Sequence, residues 1–330
     1  MKSDLTEKLR EFLLECYGED INEAKSYFST SNYAFIFPNK PFMIRVSVTQ
    51  RRTRQEILSE LLWVDDLKTF KETICEPEVS LRGNLLEEIE IDGQIYRASM
   101  FRTARGKVTP PSEMSPMYFI CVGELLGAIH AASRNEVNEG IRYQRPAGSE
   151  AMDNLVRKVE DKLPEQVMKK ICDIKTQVHA IPQSEEKYGM CHGDFHTNNF
   201  FVEANNIWVF DFDSSIYSYY MYDIVSFLQD CLMNGYKKEK DARTCLYEDI
   251  LPYFKIGYEL HMNVDEQFYD NLELFMFYRA ARIVCNLQLI QVCGVVDDLN
   301  GIRELYYHIV CSEDIFEAIS DIRNKIAHRK

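Results

Sequence analysis

The sequence predicts an α+β protein with a small strand-rich lobe at residues 1–102 followed by a larger, mainly helical lobe at 103–330, on three observations. Turn residues twice separate short apolar runs within the first hundred residues. The stretch from Thr103 to Pro116 carries Gly106 and three prolines, and long runs beyond it repeat their apolar residues at helical spacing. A chain of 330 residues with 46% hydrophobic content can bury the core that two such units need.

Leu5, Leu9, Phe12, Leu13 and Cys16 lie on one face of a helix that Gly18 stops. Tyr33 to Phe37 and Phe42 to Val48 read as strands of a hairpin turned by Pro38-Asn39-Lys40-Pro41. Arg54 to Phe70 returns to helical period. Leu85 to Ile91 and Gln94 to Phe101 flank Asp92-Gly93, a strong hairpin signal. Ser115-Pro116 supplies an N-cap and a first-turn proline to a core helix through Phe119, Leu126 and Ile129. A helical stretch from Ser149, broken at Pro164, resumes to Val178. Further helical patterns run from Tyr220 to Met233, Ala242 to Tyr258, Asp265 to Val292 and Ile315 to Ala327.

A formal net charge of −14 argues against a nucleic-acid or anionic-membrane partner and tilts slightly toward an amine-bearing small substrate. The ten cysteines are scattered singly with no C-x-x-C pair, as buried thiols are. With an amphipathic amino terminus and no apolar run of spanning length, a reducing compartment, the cytoplasm, is the expectation.

The chemistry concentrates in Cys191-His192-Gly193-Asp194-Phe195-His196-Thr197-Asn198-Asn199 and in Val209-Phe210-Asp211-Phe212-Asp213. Phosphoryl transfer needs a group to orient or deprotonate the attacking hydroxyl and cations to neutralise the transferring phosphate. Asp194 suits the first role. Asn199 offers an amide oxygen to Mg²⁺, and a hairpin around Glu203-Ala204-Asn205-Asn206 is expected to bring Asp211 back as the carboxylate ligand.

This block resembles the H-G-D-x-x-x-x-N and I-D-[FW]-[DE] signatures of the aminoglycoside phosphotransferase family, whose relatives include choline/ethanolamine kinases and type II homoserine-kinase-like proteins. Gly123 to His130 is similar to the family's helix ahead of the catalytic loop, and Tyr222-Asp223-Ile224 to its Y-D-[LI], so that residues 25 to 290 follow the pattern. The resemblance implies a bilobal protein-kinase-like fold, a small antiparallel-sheet N-lobe and a larger helical C-lobe with ATP or GTP bound between them. It implies Asp194 as catalytic base, His192 as support of the catalytic loop, and Asn199 and Asp211 as Mg²⁺ ligands. The usual phosphate-binding lysine is replaced by Arg45, with Glu60 as its helix partner. The glycine-free loop Phe28 to Asn32, Ser31 included, would cover the phosphates, and a connector at Met100, Phe101 and onward to Thr103 would read the base.

Other readings of these residues stand beside these. His192, Asp194 and His196 form H-x-D-x-H, a possible transition-metal set. Arg45 could be an exposed strand cation, Glu60 a solvated helix residue, Asp213 a metal or substrate contact or a turn cap, and Asp223 a helix-start or loop-bracing carboxylate. For Arg279 and Arg282 buried salt bridging is the expectation, lining of an acceptor pocket the alternative. The function expected is transfer of a γ-phosphate to a small-molecule alcohol: an aminoglycoside, a choline-like amine, a homoserine-like amino alcohol or a sugar. The alternative is a catalytically silent kinase-fold binder of a nucleotide or metabolite.

Overall fold

A computed structural model describes residues 3–28, 32–47, 52–68, 72–138, 143–292 and 300–327. The chain divides into two compact units. The first comprises 1–105 together with 142–145 and 208–213, and the second the remaining residues.

In the first unit, helix α1 (Ser3–Tyr17) ends at Gly18, whose φ of +72° suits the residue after a helix. Strands β1 (Lys25–Phe28), β2 (Asn32–Ile36), β3 (Phe42–Ser47), β4 (Pro77–Glu78), β5 (Glu87–Ile91) and β6 (Gln94–Arg102) form one antiparallel sheet in the order β1-β2-β3-β6-β4, with β5 also paired to β6. Both hairpin signals hold: Asn39 is left-handed between β2 and β3, and Asp92 and Gly93 both take positive φ between β5 and β6. β1 and β4 were not visible in the sequence pattern. β1 is exposed along its whole length, and β4 has two residues, so neither carries an apolar alternation. Leu9, Phe12, Leu13 and Cys16 of α1 pack with Phe35, Ile44, Val46, Tyr96 and Ala98 of the sheet in one core. Helix α2 (Arg54–Leu67) opens with a capping box, Thr53 and Glu56 each accepting the other's backbone N–H.

The second unit is mainly helical. α3 (Pro116–Asn138) starts where Ser115 caps the Tyr118 N–H. It is followed by α4 (Gly148–Val159) and α5 (Glu165–His179), then strand β7 (Tyr188–Cys191), paired antiparallel with β10 (Ile216–Tyr219). Strands β8 (Phe200–Glu203) and β9 (Asn206–Val209) pair, and β9 carries the chain into the first unit at Trp208. α6 (Met221–Met233), α7 (Ala242–Thr244), a π-helical turn at Cys245–Ile250, α8 (Leu251–Tyr258), α9 (Leu272–Val292), α10 (Asn300–Cys311) and α11 (Ile315–Ala327) complete it. α3 and α8 meet backbone to backbone: a Cβ at Gly123 would stand 2.2 Å from the Phe254 carbonyl oxygen, and one at Gly257 1.9 Å from that of Ile120. α3 is the one described helix apolar enough over its length to cross a membrane, and 67% of that window is buried inside the protein. It is a core helix, and its neighbours explain its hydropathy. The nine cysteines among the described residues are all free thiols.

Candidate active site

The loop that leaves β7 carries His192 to Asn199 and belongs wholly to the second unit. Gly193 has a φ of +81°, and a Cβ there would fall 2.0 Å from the Ser214 carbonyl oxygen, so the turn admits no side chain. The fully buried Asp223 of α6 accepts the backbone N–H groups of His192 at 2.6 Å and Gly193 at 2.8 Å. Its Oδ2 also lies 3.3 Å from Nε2 of His130, whose Nδ1 is 2.9 Å from the Tyr258 hydroxyl. Burial lowers the His130 pKa against the opposing pull of Asp223. The neutral ring therefore donates from Nε2 to the carboxylate and accepts the Tyr258 hydroxyl at Nδ1. Asp223 is thus a loop brace and not a reacting group.

Seven residues along α6, Asp230 takes the other end of the loop, accepting the Thr197 N–H at 3.0 Å and its hydroxyl at 2.5 Å. Between the two braces Phe195 is fully buried among Phe200, Phe227 and the His192 ring. The sequence reading did not single out Asp230. Its signal was a carboxylate two helical turns from Asp223, on the same side of a helix whose other residues are mostly apolar.

Fixed in this way, the loop presents Asp194 with its side chain about half exposed. Burial pushes its carboxyl up, but the hydrogen bond and charge of His196, with Nε2 at 3.4 Å, and the charges of Arg279 and His192 outweigh this and hold it down at about 2. The group is ionised, as an acceptor of a hydroxyl proton must be. Asn199 donates from Nδ2 to the Asp194 carbonyl oxygen at 2.9 Å, which anchors the amide and leaves its Oδ1 without a donor among the described residues. That hard oxygen fits a magnesium ligand. His192 is buried, and its Nδ1 accepts the Asp194 N–H at 3.3 Å. The H-x-D-x-H residues do not converge. Among the described residues the ligand-type groups that do are His130, Cys191 and Asp223, and there the carboxylate is taken by N–H donors and burial pushes the Cys191 thiol up, keeping it protonated.

In the first unit Arg45 of β3 grips Glu60 of α2 in a fork, Nη1 to Oε1 at 2.7 Å and Nη2 to Oε2 at 2.9 Å. Both are buried, which excludes an exposed strand cation and a solvated helix carboxylate. Burial would lower the Arg45 pKa, but the charge and hydrogen bonds of Glu60 outweigh it and raise it. The guanidinium stacks on Phe101 at 4.8 Å, and its Nε is buried with no acceptor among the described residues. Met100 and Phe101 lie in β6 opposite Ile44 and Met43, and their other neighbours are Glu78 and Pro77. The next two backbone donors, Arg102 and Thr103, are committed to the carbonyls of Glu76 and Pro41. Ser31 and the rest of its loop at 29–31 lie outside the described residues.

Asp211 has a φ of +64°, a conformation seldom taken by a residue other than glycine. The residues after it are fastened: Phe212 meets Trp63 edge-on at 5.4 Å, and the Asp213 carbonyl accepts Arg52 at 3.0 Å and Arg145 at 2.5 Å. Arg52 and Arg145 were not anticipated, because nothing in their local sequence signals a partner so far along the chain. Arg279 and Arg282 of α9 depart from expectation: neither is salt-bridged among the described residues. Arg279 donates to the neutral Gln229 at 3.1 Å, and Arg282 stacks on Tyr222.

The model of the phosphotransferase enzyme family matches residues 20–244, more than half of the chain. Amicoumacin kinase of Bacillus subtilis (strain 168) is 22% identical over 245 residues, covering 73% of this chain and 73% of that protein. Among solved structures, amicoumacin kinase hAmiN in complex with AMP-PNP, Ca²⁺ and Ami superposes with a TM-score of 0.80 at 20% identity, over 98% of this chain and 94% of that one. The GDP complex of aminoglycoside 2′-phosphotransferase-IIIa gives 0.60 at 15% identity, over 98% and 100%. The α+β fold is therefore protein-kinase-like. With the H-G-D loop braced around an ionised Asp194 and the family match running through both units, the chain belongs to the phosphotransferase enzyme family and is a small-molecule kinase.

Proposed function

We propose that the protein transfers the γ-phosphate of ATP to a hydroxyl of a small molecule, with Asp194 as base. The supporting observation is the state of that one side chain. It is half exposed and ionised, on a loop whose two ends are hydrogen-bonded to α6, so its carboxylate is held without reorganisation where a hydroxyl can approach. His192 supports the loop from within. Asn199 and Asp211 are the oxygen ligands proposed for Mg²⁺, which when bound neutralises phosphate charge. Arg45, kept in place by Glu60, is proposed to meet the phosphates through the N–H groups that Glu60 does not use, with Met100 and Phe101 beside the base. The relatives, an amicoumacin kinase and an aminoglycoside phosphotransferase by name, favour an acceptor of natural-product size over a protein. A reducing cytoplasm suits the free thiols.

The test is phosphate transfer from Mg·ATP, with Mg·GTP in parallel, across a library of small alcohols. Wild type should phosphorylate at least one, and Asp194→Ala should lower turnover by about 10²-fold or more while leaving the unfolding midpoint unchanged. Full turnover by the variant refutes the assignment. Binding of Mg·ATP without transfer to any alcohol points to a silent binder instead.

A further inference from the structure

We propose that the acceptor carries a carboxylate and that Arg279 and Arg282 of α9 receive it, an inference that rests on the phosphotransfer reading above. The two residues lie three apart, on neighbouring positions of one helix face. Arg279 is buried, and its described hydrogen bond goes from Nη1 to the uncharged Oε1 of Gln229. Arg282 is half-buried. Its guanidinium carbon lies 4.7 Å from the Tyr222 ring centroid, and its Nε and Nη1 are buried with no acceptor among the described residues.

A buried and a half-buried guanidinium on neighbouring helix positions both lose hydration, and arginine does not relieve this by giving up its proton. Elsewhere in the chain backbone carbonyls take the buried Arg145 and Arg323, and the Glu60 carboxylate answers Arg45 directly. Here no described carboxylate does so. The acidic groups within electrostatic reach are engaged: Asp223 with two loop N–H groups and His130, Asp230 with Thr197, and Asp194 with His196. Arg282 therefore keeps N–H donors without an acceptor among the described residues, and the charges of both arginines are coupled to that of the proposed base.

An acceptor whose hydroxyl reaches Asp194 brings its neighbouring groups to this part of α9. A carboxylate a few bonds from that hydroxyl presents two oxygens in a plane, the partner that a guanidinium fork matches. The substrate class is then a hydroxy acid or an amino hydroxy acid. A purely cationic acceptor would meet two like charges at this point of α9.

The probe is a set of small hydroxy acids and amino hydroxy acids, each paired with its own carboxamide, titrated onto the full chain by thermal shift and then assayed for phosphate transfer from Mg·ATP. At least one acid should stabilise wild type at about tenfold lower concentration than its carboxamide. Arg279→Gln and Arg282→Gln should each erase that preference, whereas Asp194→Asn, which keeps both cations, should retain it. The proposal is overturned if no acid is preferred to its amide by wild type, a result that needs no variant to fold, or if the preference survives in Arg279→Gln/Arg282→Gln. Transfer to neutral or cationic alcohols with no preference for acids removes the anion site and leaves the kinase reading. Preferential binding of acids with no transfer to any removes the kinase reading and leaves the anion site.

Discussion

Asp223 touches no reacting group in the proposed chemistry, yet it satisfies two buried N–H donors and the ring of a buried histidine at once. Asp223→Ala orphans all three. Each orphaned group costs about 1–3 kcal/mol, so stability should fall by at least about 3 kcal/mol in urea unfolding, and kcat should fall with the loss of loop geometry. A variant with wild-type stability and turnover would remove Asp223 as a brace. Arg45 makes the complementary case. Arg45→Met leaves Glu60 buried and alone, with an expected loss of about 3–5 kcal/mol. Arg45→Lys restores the charge but not the fork, so it should recover part of the stability and show a raised KM for ATP. Equal KM values for lysine and arginine would place Arg45 away from the phosphates.

α6 is the element that organises the catalytic loop. Its Asp223 and Asp230 brace the loop's two ends, and its Phe227 packs against Phe195 in the middle. The α3–α8 crossing works differently, by the absence of side chains. Alanine ordinarily stabilises a helix over glycine by about 1 kcal/mol. At Gly257 its Cβ would stand 1.9 Å from one backbone atom and 2.6 Å from another of α3, and backbone does not move as a side-chain tip does. Gly257→Ala should therefore destabilise by about 1–3 kcal/mol despite its propensity, and a stabilised variant in thermal unfolding would show that the helices separate freely.

Over the whole molecule, His130 links folding to pH. Its pKa in the folded chain lies below the ordinary value of 6.5, so between the two values the unfolded chain binds the extra proton. The stabilisation is complete above pH 6.5 and is lost as pH falls below it. Urea midpoints followed from pH 7.5 to 5.8 should fall more steeply for wild type than for His130→Gln, and parallel curves would exclude His130 as the source. The two compact units interleave along the chain: residues 142–145 and 208–213 rejoin the first after the second has begun. Truncation near residue 102 would separate Arg145 from the Glu56 carbonyl and the Asp213 carbonyl from Arg52.

The sequence by itself determined the α+β class, both hairpins of the small sheet, most of the helices and the loop from His192 to Asn199, because each rests on chemistry local to a few residues: periodicity, turn residues and fixed spacing. β7 and β10 escaped it, since four-residue strands buried along most of their length show no alternation, whereas α10 was legible, with Ile302, Leu305, Tyr306, Ile309 and Val310 at helical spacing, and was not singled out. Tertiary structure decided the rest. That Asp223 and Asp230 brace the loop, that Arg45 is paired and buried, and that Arg279 and Arg282 have no carboxylate partner among the described residues are all outcomes of packing between segments remote in sequence. Spacing fixes which chemical groups lie together along the chain, but the partner of a buried charge is set by whichever element folds against it.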